Sequence, residues 1–111
     1  MKNTSRQRKA SMLQNHVRKK ILKSFPHLKF NDVRTAKIGE NGPDIVLSDV
    51  AKKLVGCQFE TKNQNKMRTI YGWYKQASKN TKLTPVVVMK CNSREPLVCI
   101  SFDDFMNLIR S

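Results

Sequence analysis

Gly39-Glu40-Asn41-Gly42-Pro43-Asp44-Ile45-Val46-Leu47-Ser48 decides how the rest of the chain is organised. Residues 39–43 are a dense turn signal, and Asp44 to Ser48 starts a strand returning from that turn. The outgoing strand lies upstream between Asp32 and Ile38, where Val33, Thr35 and Ile38 are β-branched and alternating. Downstream, Leu54 to Lys62 alternates: Val55, Cys57 and Phe59 point one way, and Gly56, Gln58, Glu60 and Lys62 the other. A third strand is therefore expected there, with Glu60 and Lys62 on one face.

Outside this centre, Leu13, Val17, Ile21 and Leu22 recur at helical spacing from about Ala10 to Ser24, and Phe25-Pro26 stops that helix. A second helix is expected from roughly Lys66 to Asn80, with Ile70, Trp73, Tyr74 and Ala77 as its apolar stripe. Pro85 to Met89 reads as a buried strand and Leu97 to Ser101 as another. Phe102 to Arg110 reads as a closing helix whose Asp103 and Asp104 suit its positive N-terminal end. The expected order is αβββαββα: an α/β domain with a central mixed β-sheet flanked by helices.

At 111 residues the chain is long enough for one core, so a single domain is expected over 10–111. Residues 1–9, basic with little to bury, are expected as a flexible N-terminal arm. A net charge of +14 points to a polyanionic partner, because a field of that sign attracts phosphate backbones and releases their counterions. No lipidation motif, membrane-length apolar run or apolar leader is visible, so no membrane association or secretion is expected. Cys57, Cys91 and Cys99 lack CxxC spacing and are odd in number, which reads as buried free thiols in a reducing cytoplasm.

Against that basic background, Asp44 and Glu60 stand on neighbouring expected strands with Lys62 two positions on. Hydrolysing a phosphodiester requires charge stabilisation at phosphorus and delivery of hydroxide, and a divalent cation held by carboxylates supplies both. Oxygen ligands of this kind select Mg²⁺ or Mn²⁺, with waters and a main-chain carbonyl, that of Thr61, completing the shell. Lys62, one pleat from Glu60 at ~7 Å, is placed to orient or deprotonate water or to offset transition-state charge. Arg18, Lys19, Lys37, Lys66 and Arg68 are the candidate phosphate contacts, which position a backbone without reading sequence.

Gly42-Pro43-Asp44 with Glu60-Thr61-Lys62, on a hairpin and its following strand after an N-terminal helix, resembles the PD-(D/E)XK nuclease superfamily. Leu13-Gln14, Asp44 to Ser48, Glu60 to Asn63, Trp73 with Gln76-Ala77 and Asn80, and Asp104-Phe105 resemble small phage-type members related to Holliday junction resolvases. The likeness spans about Lys9 to the C-terminus. It implies a restriction-endonuclease-like fold, metal ligation by Asp44 and Glu60, catalysis by Lys62, and a place near the site for Gln76. Many relatives carry a glutamate in the first helix; here that position is Gln14, whose amide oxygen can coordinate but brings no charge. Glu40 is a substitute candidate. The implied protein is a Mg²⁺-dependent endonuclease for branched DNA in recombination, of bacterial or phage origin. Two symmetric cuts in a four-way junction further imply a homodimer.

Each residue also has a plainer reading. Asp44 suits a turn end, Glu60 and Lys62 an exposed strand face, and Gln76 a helix surface. Trp73 and Tyr74 have the spacing of core residues rather than base-stacking ones, and His16 and His27 are not spaced as a metal pair. The competing functions are a less selective nicking or end-processing nuclease of the same fold, and a non-catalytic basic protein that coats nucleic acid.

Overall fold

In this structure, a computed structural model, residues 4–63 and 67–110 are described. They divide into two compact units, the first reaching Asn63 and the second running on to Leu108. Neither holds a helix long and apolar enough to cross a membrane, among the described residues.

The first unit is built on α1 (Thr4–Ser24) and the antiparallel hairpin of β1 (Val33–Thr35) and β2 (Ile45–Leu47). Val17, Ile21 and Phe25 fall one turn apart along the line of α1 and are buried against the hairpin, whose Val33 and Ile45 are almost fully enclosed. The ladder continues past both strand ends: Ala36 N–H donates to the Asp44 carbonyl at 2.9 Å, and Ser48 N–H donates to the Asp32 carbonyl at 2.8 Å. The main chain of Asp44 is thereby held in register with β1.

Two departures from expectation occur in this unit. Helix α1 begins at Thr4, so residues 4–9, expected as part of an arm, are helical. Residues 49–55, expected to lead into a third strand, form α2 (Asp49–Val55). Ser48 caps that helix, its Oγ accepting from Ala51 N–H at 3.1 Å while donating to Asp32 Oδ1 at 2.7 Å. Gly56 closes it in the left-handed region at φ 72°, its N–H donating to the Lys52 carbonyl. Ala51 and Val55, one turn apart, complete the core. Residues 56–63 then run without a strand partner among the described residues.

In the second unit α3 (Arg68–Ala77) packs on β3 (Val87–Met89), which pairs antiparallel with β4 (Leu97–Cys99), and α4 (Phe102–Ile109) follows. Ser101 Oγ accepts from Asp104 N–H at 3.0 Å at the start of α4. These elements fall where the sequence places them, with α3 shorter at both ends than the expected 66–80; Lys66 itself lies outside the described residues. Val86 and Val88 are exposed, so β3 is not the enclosed strand its apolar run suggests. Trp73 is 47% exposed, and Met106 is the buried core residue of this unit among those described. The protein is thus a small α/β chain with two small antiparallel sheets and four helices among the described residues, not one mixed sheet. All three cysteines are free, but Cys57 and Cys99 are only half-buried and Cys91 is exposed.

Ser48 links the hairpin to α2 through two side-chain bonds. Ser48→Ala should therefore cost about 1–2 kcal/mol of stability, read by urea denaturation. Ser48→Asn, which keeps a capping oxygen, should recover part of that loss. A loss of a few tenths for Ser48→Ala would mean that the Asp32 bond contributes nothing.

Candidate functional site

Position 44 stands at the mouth of the hairpin, one residue before β2, with its backbone tied to Ala36. Its side chain turns to the extended segment: Asp44 Oδ2 accepts from Thr61 N–H at 2.8 Å and from Thr61 Oγ1 at 3.2 Å. A carboxylate thus occupies the place a neighbouring strand's carbonyl would take. Without a ladder, residues 57–62 still alternate, with Cys57, Phe59 and Thr61 half-buried and Gln58, Glu60 and Lys62 more open to solvent. Glu60 and Lys62 share a face as their spacing requires.

Next to the pinned Thr61, the Glu60 carboxyl lies near enough to that of Asp44 for each to shift the other's titration. The two settle unequally. The bond with Glu60, followed by the Thr61 N–H, holds Asp44 below the usual carboxylate range, so Asp44 carries the charge. The same bond and Asp44's charge push Glu60 above its ordinary value. The positive charge of Lys62 bears on both and lowers both. The two carboxyls titrate as a pair under the influence of one nearby ammonium.

Two carboxyls held together and a nearby main chain form an all-oxygen donor set, which fits a hard divalent cation; a third acidic, histidine or cysteine ligand is not grouped with them among the described residues. The donors the chain could offer there are Asp44, Glu60 and, as the sequence reading expects, the Thr61 carbonyl, with waters filling the remaining positions. Gln14 is half-buried on α1 and makes no hydrogen bond to either carboxyl among the described residues. Gln76 is exposed on α3 in the second unit.

Glu40 does not serve as a spare ligand. Both its oxygens accept from Arg34, at 3.0 and 2.8 Å, and Oε1 also accepts from Lys37 N–H at 2.8 Å. That bidentate pair, with the Lys37 N–H, draws the Glu40 carboxyl down to about 2. Glu40 stiffens the turn instead.

Among the expected phosphate contacts, Lys19 on α1, Lys37 in the hairpin connection and Arg68 at the start of α3 are open to solvent. Arg18 instead braces the fold, since its Nε donates to the Val33 carbonyl at 2.6 Å and its Nη2 to the Phe30 carbonyl at 2.8 Å. Sequence spacing places Arg18 in a basic cluster but carries no sign of this clamp, which depends on the loop after α1 folding back. The exposed first turns of α1 add Arg6, Arg8 and Lys9 to the basic surface, and α1 holds no acidic residue. Comparison with protein-family models, curated proteins and solved structures finds no match.

The Asp44–Glu60 contact has a pH signature. Asp44 is depressed, so what it contributes to stability is lost as pH falls through values below 3.8. Glu60 is raised, so its contribution is full below its unfolded value near 4.5 and is lost as pH rises through the higher folded value. Glu60→Gln keeps a donor for Asp44 and removes the second charge. In EDTA, the melting temperature of wild type should therefore fall relative to Glu60→Gln from about pH 4.5 toward neutrality. At neutral pH Mg²⁺ should raise the wild-type value and leave the variant unmoved; parallel pH curves would show that the carboxyls do not oppose each other.

Proposed function

We propose that this protein is a Mg²⁺- or Mn²⁺-dependent DNA endonuclease that selects branched DNA such as a four-way junction. The observation that carries this reading is the enforced contact of Asp44 and Glu60 beneath the charge of Lys62 in a strongly basic chain. Two like charges brought together by main-chain bonds are costly unless a cation joins them. The resemblance of Asp44 with Glu60-Thr61-Lys62 to the PD-(D/E)XK signature supports the same conclusion. On this view the chain is a divergent restriction-endonuclease-like core in which residues 56–63 would take the part of the third core strand.

Bound there, a divalent cation would supply Lewis-acid stabilisation of the phosphoryl charge and a more acidic water. The chain's own residues do the rest. Asp44, fixed by Thr61 and by the Ala36 bond, would present one carboxylate to the cation and Glu60 the other; Lys62 would offset charge on the phosphate or hold the attacking water. Exposed basic side chains on α1, with Lys19, Lys37, Lys66 and Arg68, would hold the backbone, and selectivity would come from DNA shape. Gln14 would assist through its amide. We propose a homodimer, because paired incisions across a junction need two such sites, and action on DNA in the cytoplasm during recombination.

The test uses a labelled four-way junction and a matched linear duplex, in Mg²⁺ or EDTA. Wild type should cleave the junction in Mg²⁺ alone. Glu60→Ala and Lys62→Ala should each lose roughly 100-fold or more in rate while retaining DNA binding. Equal cutting of both substrates would leave a less selective nuclease, and binding without cleavage in any divalent ion would leave a nucleic-acid coating protein.

Gln14 is tested separately. Gln14→Ala should slow cleavage about tenfold or more with DNA affinity unchanged. Full activity would remove it from the site.

A further inference from the structure

Phe30 is 71% exposed. The Arg18 guanidinium lies over its ring, 3.9 Å from the centroid. Two bonds to main-chain carbonyls fix that guanidinium, so the stack is preformed rather than one of many side-chain arrangements. The ring and the guanidinium line a cleft of about 400 Å³ with Asn15, Asn31, Arg34 and Thr35.

The chemistry of this lining is specific in kind. An aromatic ring backed by a fixed cation offers one flat apolar surface for stacking. The Asn15 and Asn31 amides, both exposed and each carrying donors and an acceptor, match the polar edge of a heterocycle. Arg34 is itself held flat by its bidentate bonds to Glu40, so both guanidiniums of the cleft are pre-oriented. The nearby carboxylates are engaged within the fold, Glu40 by Arg34 and Asp32 by Lys29 N–H and Ser48 Oγ.

We infer that the Phe30–Arg18 cleft is a stacking subsite for an unpaired base of a DNA strand. The inference rests on the nucleic-acid reading above and adds to it the feature being recognised: a base displaced from its duplex. Arg34 of the cleft and Asp44 of the carboxylate pair belong to the same hairpin. Arg34 stands two residues before Ala36, which bonds Asp44, a separation of about 7 Å in an extended strand. Bases stack on aromatic side chains without regard to sequence, so the subsite would sense strand pairing and not base identity.

The test is binding, read by fluorescence anisotropy in EDTA so that cleavage plays no part. The probes are a labelled oligothymidylate and a strand of equal length made of abasic units, which carries the same phosphates. Wild type should bind the first about tenfold more tightly. Phe30→Leu should abolish that preference and leave abasic binding unchanged, whereas Phe30→Tyr should keep it. Photocrosslinking of wild type to a 5-iododeoxyuridine strand, which requires no variant, should attach the strand at Phe30. Equal affinity for the two strands, an undiminished preference in Phe30→Leu, or crosslinking confined to other residues such as Trp73 overturns the subsite and leaves the nuclease reading standing. Failure to bind either strand overturns both, while loss of cleavage with the base preference intact overturns the nuclease reading alone.

Discussion

The Asp44 carboxylate is the joint on which the first unit's chemistry depends. It accepts both the N–H and the hydroxyl of Thr61, and so anchors a segment that has no strand partner of its own among the described residues. A ladder would have spread that anchoring over several main-chain groups. Here one ionised side chain carries it, and the same bonds that orient Asp44 press Glu60 against it. Structural anchoring and electrostatic conflict therefore come from one set of atoms. Such conflicts recur where a site is shaped for a ligand that relieves them.

Other acidic groups of this unit show the contrast. Asp32 accepts from Lys29 N–H and from Ser48 Oγ, and its carboxyl is lowered as a result. Glu40 is fully engaged by Arg34 and the Lys37 N–H. Both are matched to donors within the fold, and both brace the hairpin: one at its open base beside Ser48, the other in its turn. Asp44 and Glu60 are matched to each other, which is a poorer match for two groups that prefer to ionise. With so few acids to offset them, the exposed cations of α1 leave a strongly positive surface along that helix.

Much of this is legible in the residue pattern, for identifiable reasons. Val17 and Ile21 repeat at the helical period, Pro26 stops their helix, and Gly39 to Pro43 turns the chain, so α1 and the hairpin follow from local rules. The alternation through Glu60 and Lys62 survives as a burial pattern, both being exposed, although no strand forms there among the described residues. Helix α2 is hidden because the alternating apolar residues from Leu54 onward suggest a strand, masking a cap at Ser48 and a left-handed stop at Gly56. Both signals are present in the sequence, but they outweigh a period-2 pattern only when Ala51 and Val55 find a core to enter.

By itself, the sequence determined the charge, the helix-and-hairpin order and the residue types at the candidate site, because these depend on composition and on neighbours a few positions apart. Only tertiary structure decided which acid meets which partner. Glu40 and Glu60 are equally acidic on paper, yet one is enclosed by an arginine fork and the other is set against a carboxylate. Arg18 likewise changes from a member of a basic cluster into a clamp once the chain folds back over it. The physical reason is that pairing falls off steeply with distance and angle, and the distances that matter join residues far apart along the chain.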